Sequence, residues 1–258
     1  MARRLSLTKK ILILAALVAL VAAGTAQALR IRAGDLVVIG DGGFRPIALP
    51  KKKNAPITIF GGGRIETVSG ALPPILETIT FEWDRHGSVQ TTGLPVCTAG
   101  RLEATRVEDA RRVCGGSIVG TGFGSAMINF PEQKPFKVSS PITVFNGPRK
   151  GGNPSVLAHA YTTVPVPTTF VVPVVIKRIN KGVYGYLTEA RIPRIAGGAG
   201  IPISGKLRVG KRWTHKGRRY SFVNARCETG RLQARGIFGF KDGTLLKGTF
   251  AKRCKVRN

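Results

Sequence analysis

The chain has 258 residues, with 41 Lys and Arg against 13 Asp and Glu, a formal charge of +28, and 43% apolar residues. That apolar share supports a packed core and excludes a disordered polycation. The surplus charge says nothing about fold, but it governs which partners the surface attracts.

The chain opens with a short basic stretch, Met1 to Lys10, that contains no acid. An apolar run from Ile11 to Ala23 follows, then Gly24, Thr25 and the small-residue triplet Ala26-Gln27-Ala28. Basic, apolar and A-x-A segments in that order make a cleaved export signal. The run is too short for the ~20 apolar residues that span a bilayer. Residues 1–28 are read as the signal peptide, and 29–258 as a single β-rich extracellular domain. Removing the signal takes away Arg3, Arg4, Lys9 and Lys10 and no acid, so 37 cations face 13 acids and the mature charge is +24. Outside the cytoplasm the available polyanions are anionic envelope polymers, lipid headgroups and extracellular DNA; nucleic acid of the cytosol is not an expected partner. No later segment is long and apolar enough to span a membrane.

Downstream, short stretches rich in Val, Ile, Thr, Phe and Tyr alternate with Gly-containing turn signals such as Gly61-Gly62-Gly63, Asn146-Gly147, Lys181-Gly182 and Asp242-Gly243. That is the pattern of antiparallel strands. Pro56-Ile-Thr-Ile-Phe60 and Pro141-Ile-Thr-Val-Phe145 suggest two duplicated halves meeting near 131–140, although five residues do not establish a repeat. Thr105 to Glu108 has capping-box spacing, with Val107, Ala110, Val113 and Cys114 following at helical spacing and Gly115-Gly116 able to end the helix. Pro165, Pro167 and Pro173 interrupt an apolar stretch and imply edge strands or bulges. Arg218–Cys227, Arg231–Phe240 and Thr244–Cys254 read as a three-strand meander, with the middle strand carrying a solvated basic face.

The four cysteines, Cys97, Cys114, Cys227 and Cys254, are even in number, as an exported disulfide framework requires. Three connectivities are possible. The local pairs 97–114 and 227–254 are favoured because each lies within one half of the chain. Zinc is disfavoured, since no C-x-x-C spacing occurs and no histidine sits near a cysteine pair. In the expected meander Cys227 and Cys254 lie two strand spacings apart, roughly 9–10 Å, beyond disulfide reach. Their bond therefore requires the chain to leave the ladder at one of them.

Ala71-Leu-Pro-Pro74, Ile79-Thr-Phe-Glu82, Gly93-Leu-Pro-Val-Cys97, the helix ending at Cys114, Val119-Gly-Thr-Gly122, Phe145-Asn-Gly147 and the Cys227/Cys254 region together resemble a family of uncharacterised secreted β-rich proteins of actinobacteria. The resemblance implies export, disulfides and a β-rich domain. It implies no activity.

Signals for catalysis are weak. Phe81-Glu-Trp-Asp-Arg-His-Gly87 gathers two carboxylates and a histidine. Alternation turns Ile79, Phe81 and Trp83 inward and Glu82 and Asp84 outward, followed by a turn. Gly120 to Ser125 is similar to a nucleotide loop but lacks the strand–loop–helix context. No Gly-x-Ser-x-Gly elbow occurs. No catalytic residue, metal ligand or cofactor is assigned. The densest cationic–aromatic segment supplies a candidate anion-binding set: Lys211, Arg212, Trp213, Lys216, Arg218, Arg219 and Tyr220, cations for phosphate or carboxylate and aromatics for stacking. The competing reading is a basic hairpin tip whose aromatics serve the core. Lys51-Lys52-Lys53 and Arg149-Lys150 are further basic loop tips.

The expected fold is an all-β antiparallel sandwich or sandwich-like barrel with one short helix and two disulfides. The expected role is a secreted, non-enzymatic protein associating with anionic envelope or extracellular polymers through basic loops. The alternatives are a carrier of a lipid or apolar ligand between sheets and an extracellular hydrolase.

Overall fold

The computed structural model describes residues 28–257. The segment read from sequence as an export signal lies, apart from Ala28, outside the described residues. The first part of the chain forms β1 (Leu29–Ala33), β2 (Leu36–Arg45), β3 (Ala48–Pro50), β4 (Ala55–Pro56), β5 (Thr58–Thr67), β6 (Leu76–Asp84) and β7 (Gly87–Val89). Helix α1 (Val107–Cys114) precedes β8 (Ile118–Ile128), β9 (Phe136–Lys150), β10 (Asn153–Thr162), β11 (Thr168–Lys181), β12 (Tyr184–Arg191) and β13 (Gly200–Val209). The last elements are β14 (Arg212–His215), β15 (Arg218–Ser221), β16 (Val223–Ala225), β17 (Arg231–Phe240), β18 (Leu245–Arg253) and β19 (Lys255–Arg257).

Twelve of these strands form one antiparallel sheet in the order β1-β2-β5-β13-β8-β9-β10-β11-β12-β6-β17-β18. The sheet is nearly closed into a barrel, because β1 packs against β18 without pairing to it. At that seam Gly248 of β18 faces the side chains of β1: a Cβ there would lie 2.5 Å from Leu29 Cδ2, so a larger residue would displace the Leu29 side chain. Closure also limits the exposure of unpaired strand edges.

The two ends of the barrel differ. At one end the strands are joined by connections of limited length, and Leu36, Val38, Leu76, Phe240 and Leu246 form a buried cluster. At the other end the chain between β2 and β5, between β6 and β8, and between β13 and β17 builds a cap. In it β4, β16 and β7 pair as a small sheet, β14 and β15 form a hairpin, and β19 runs parallel to β3. Phe222 and Leu94 of the cap pack on Val119, Val144 and Ile176 of the barrel's inner face. Leu49 and Ala225 pack with Phe44, Ile57 and both sulfur residues Cys227 and Cys254. Full burial of a side chain such as Phe222 contributes roughly 1.5–3 kcal/mol.

Both disulfides lie at the capped end: Cys97–Cys114 with Cα atoms 5.7 Å apart, and Cys227–Cys254 at 5.9 Å. Cys97–Cys114 ties α1 to the preceding loop, over Phe145 and Leu157 on the outer face of the sheet. The terminal meander is a correction. The segment from Arg218 splits between β15 and β16, neither of which pairs with β17; the second neighbour of β17 is β6. Cys227 has therefore left the ladder, its N–H donating to the Pro50 carbonyl, and the two-spacing obstacle disappears. The capping box is also corrected. Arg106 is the N-cap residue, and the Thr105 hydroxyl donates to the Leu102 carbonyl at 2.6 Å instead. Pro173 sits where β11 pairs with β10 but not yet with β12, whose pairing starts at Ile176. Its missing N–H therefore interrupts no ladder. The Gly120–Ser125 segment is part of β8, with Gly122 hard against the Lys206 carbonyl.

Candidate functional site

The capped end carries a cleft of about 730 Å³ between the cap and the mouth of the barrel. Strand β11 supplies Arg178, which follows the inward Ile176 at the two-residue period and so points to the same side. Strand β12 supplies Tyr186, over whose ring the Arg178 guanidinium lies at 5.7 Å from the centroid. Arg149, at the end of β9, is held by two hydrogen bonds to the Gly152 carbonyl. The hairpin strand β15 contributes Arg219 and Tyr220. Asn224 forms part of the floor, its amide donating to the Ser221 carbonyl at 2.7 Å.

No Asp or Glu lines this cleft, and among the described residues none of its three arginines has a carboxylate within ion-pair distance. Guanidinium groups prefer paired, forked contacts with carboxylate or phosphate oxygens. Three of them around one concavity give its lining a positive charge and several N–H donors. Arg178 on Tyr186 also offers a stacked cationic surface.

The candidate set at 211–220 divides when placed in three dimensions. Arg219 and Tyr220 line the cleft. Trp213 is committed to packing: it belongs to the cluster around Phe222, stacks on Tyr220 at 5.8 Å, and donates its indole N–H to the Thr92 carbonyl at 3.0 Å. Lys211 donates to the Gly116 carbonyl, and burial lowers its pKa from the ordinary lysine value. Lys216 occupies the turn with φ of 47°, and Arg212, Lys216 and Arg218 are exposed around the hairpin. The sequence reading missed Arg178 and Tyr186. The signal for Arg178 was its placement two residues after an apolar inward position, which in an isolated strand reads merely as a break in the pattern.

Glu82 and Asp84 do lie on the face opposite Phe81 and Trp83, but they are buried and not solvated, which corrects the outward reading. Glu82 is bound by Lys181 at 3.1 Å and by Arg235. Burial raises its pKa, and the hydrogen bonds from Lys181 and Arg235 more than offset this, leaving it below the usual carboxylate value. Asp84 accepts the main-chain N–H groups of His86 at 2.9 Å and Gln233 at 3.0 Å. The His86 ring lies between two carboxylates, Nδ1 at 2.8 Å from Asp84 and Nε2 at 3.2 Å from Glu228. The Nδ1 contact is close but poorly aligned for a hydrogen bond. These carboxylates staple β6, β17 and the segment after β16 together. They do not face the arginine cleft.

Among the described residues no group of three or more His, Cys, Asp or Glu is placed to hold a metal ion, and no helix is long and apolar enough to cross a membrane. No family model, curated protein or solved structure matches this chain.

Proposed function

We propose that this is an exported, non-enzymatic protein that holds anionic envelope or extracellular polymers in the arginine-lined cleft at its capped end. One observation carries the reading: Arg149, Arg178 and Arg219 converge on a single cavity whose lining contains no acid. The mature charge of +24 would concentrate polyanions near the surface, and the cleft would select among them by forked contacts. The disulfides suit an oxidising compartment, and with the leading segment they support export.

The test is retention on an immobilised acidic polysaccharide and on anionic vesicles across a salt series. Binding is expected to weaken steeply with salt, as release of counterions requires. The triple substitution Arg149→Gln, Arg178→Gln and Arg219→Gln removes the charge-assisted hydrogen bonds of all three guanidinium groups, and is expected to weaken binding by about tenfold or more. Salt-indifferent retention, or a triple variant that binds as well as the parent, would overturn the proposal. Among the described residues, clefts of about 730 and 410 Å³ at this end are open to solvent and mixed in lining, so neither is itself an enclosed apolar carrier site.

A further inference from the structure

Helix α1 covers only part of the outer face of the barrel. In register across the sheet, Phe60 of β5, Arg208 of β13, Thr121 of β8, Thr143 of β9 and His159 of β10 form one row on that face. The helix side buries Thr143 and His159 completely. On β5, β13 and β8 the same face lies bare. There Phe60 is 40% exposed and Phe123 39% exposed, although both are large apolar residues in the middle of a sheet.

Each of these rings is the direct cross-strand neighbour of a cation, Phe60 of Arg208 and Phe123 of Lys206. The cations sit two residues apart on one strand, about 7 Å along it. Among the described residues neither has an acid partner, while the neighbouring acids are engaged, Asp41 with Lys252 and Glu66 with Arg64. Between Phe60 and Lys206 the surface is kept low by Gly62, where a Cβ would meet the Gly205 carbonyl oxygen at 2.9 Å and Lys206 Cβ at 3.0 Å. The Phe60 ring lies against Gly43 of β2, with its Cζ 3.1 Å from where a Cβ would stand, so the ring leans onto the sheet.

We infer that this face of β5, β13 and β8 is a stacking platform for a single-stranded polynucleotide. Bases stack on Phe60 and Phe123, and Arg208 and Lys206 neutralise the phosphates between them. Phenylalanine offers a π-face with no polar handle, which suits bases of any sequence, while alternating cations follow a phosphate backbone. A uniformly electrostatic coat would need the lysine and arginine but not two exposed phenylalanines. Extracellular DNA is the polynucleotide within reach of an exported chain. This surface is separate from the arginine cleft and rests on different residues.

The experiment compares a fluorescein-labelled oligothymidylate with an abasic oligomer of equal phosphate number, at one fixed salt concentration. The parent protein is expected to bind oligothymidylate about tenfold more tightly than the abasic strand. The substitutions Phe60→Leu and Phe123→Leu together are expected to abolish that difference while leaving abasic binding unchanged. Leucine keeps apolar bulk at both positions, and circular dichroism of the variant checks the fold. The cleft variant Arg149→Gln/Arg178→Gln/Arg219→Gln is expected to retain the base-dependent difference, which separates this inference from the cleft proposal. Equal binding of the two oligomers, an unchanged base preference in the leucine variant, or equal competition by an acidic polysaccharide or anionic vesicles would overturn it.

Discussion

The two ends of this barrel are built from the same strands but are stabilised in different ways. At the plain end the connections are turns and short loops, and the apolar cluster of Leu36, Val38, Leu76, Phe240 and Leu246 seals the interior with side chains of the strands themselves. At the capped end three long connections fold back over the mouth, and both disulfides are placed there. The arginine cleft lies at the same end. Long connections that frame a solvent-open concavity have fewer ladder partners than a sheet strand, and closing them costs entropy that grows with their length. Cross-links act on that entropy. The difference teaches that the cap is a separately fastened structure, and that its fastening is what gives the cleft a fixed shape.

Breaking the fastening gives the largest expected effect. Replacing Cys227 and Cys254 by serine opens a cross-link of sequence separation 27, and replacing Cys97 and Cys114 opens one of separation 17. On the chain-entropy relation these contribute about 3.5 and about 3 kcal/mol. Urea titration should show losses of that order. Amide exchange should rise in the cap before it rises in the strands, and uniform exchange across both ends would contradict a separately fastened cap.

At the plain end the complementary change is Leu246→Ala. Leu246 is 4% exposed within the Leu36 cluster, and truncation there is expected to destabilise the protein by about 2–3 kcal/mol. Polymer binding measured under native conditions should stay unchanged, because the cleft lies at the opposite end. A matching loss of affinity would show that the two ends are coupled.

The smallest effect is one of pH, and it tests the junction between α1 and the sheet. His159 is fully buried, with Nε2 at 3.1 Å from both the Thr105 hydroxyl and the Thr105 carbonyl. Burial lowers its pKa, and the contact with the Thr105 carbonyl only partly opposes that. The unfolded chain therefore takes up a proton at a higher pH than the folded one. The stability contributed by the neutral ring is complete above the unfolded value of about 6.5 and is lost as pH falls below it toward the folded value. The urea midpoint should fall between pH 7 and pH 5, and His159→Gln should flatten that part of the profile. An equal slope in the variant would exclude His159 as its origin.

The same contrast explains what was legible beforehand. The strands of the barrel follow from period-two alternation and turn residues, and β17, with Ala234, Phe238 and Phe240 on one face and Arg235 on the other, reads directly from sequence. The cap does not. Arg218 to Cys227 has strand-forming residues throughout, yet it breaks into a hairpin strand and a strand of another sheet, because Phe222 and Ala225 are drawn into different apolar clusters. Glu82 gave the right face but the wrong environment. Alternation fixes which side of a sheet a carboxylate takes, whereas Lys181 and Arg235, 99 and 153 residues away, decide that it is buried and paired.

For the site the division is similar. Arg219 and Tyr220 stood out because cations and aromatics cluster within ten residues of chain. Arg178 and Tyr186 did not, since they lie on two different strands, each among neighbours of its own kind (Lys177 beside Arg178, Tyr184 near Tyr186), and only the pairing of β11 with β12 sets one over the other. What the amino-acid sequence determined by itself was local: the strand periodicity, the turns, the one short helix, the excess of positive charge and the even set of cysteines. Tertiary structure alone decided which strands became neighbours, which arginines met around one cavity, and which two phenylalanines were left facing water. The physical reason is range. Propensity and alternation act over a few residues, while burial and the pairing of charges depend on groups that only the nearly closed barrel brings together.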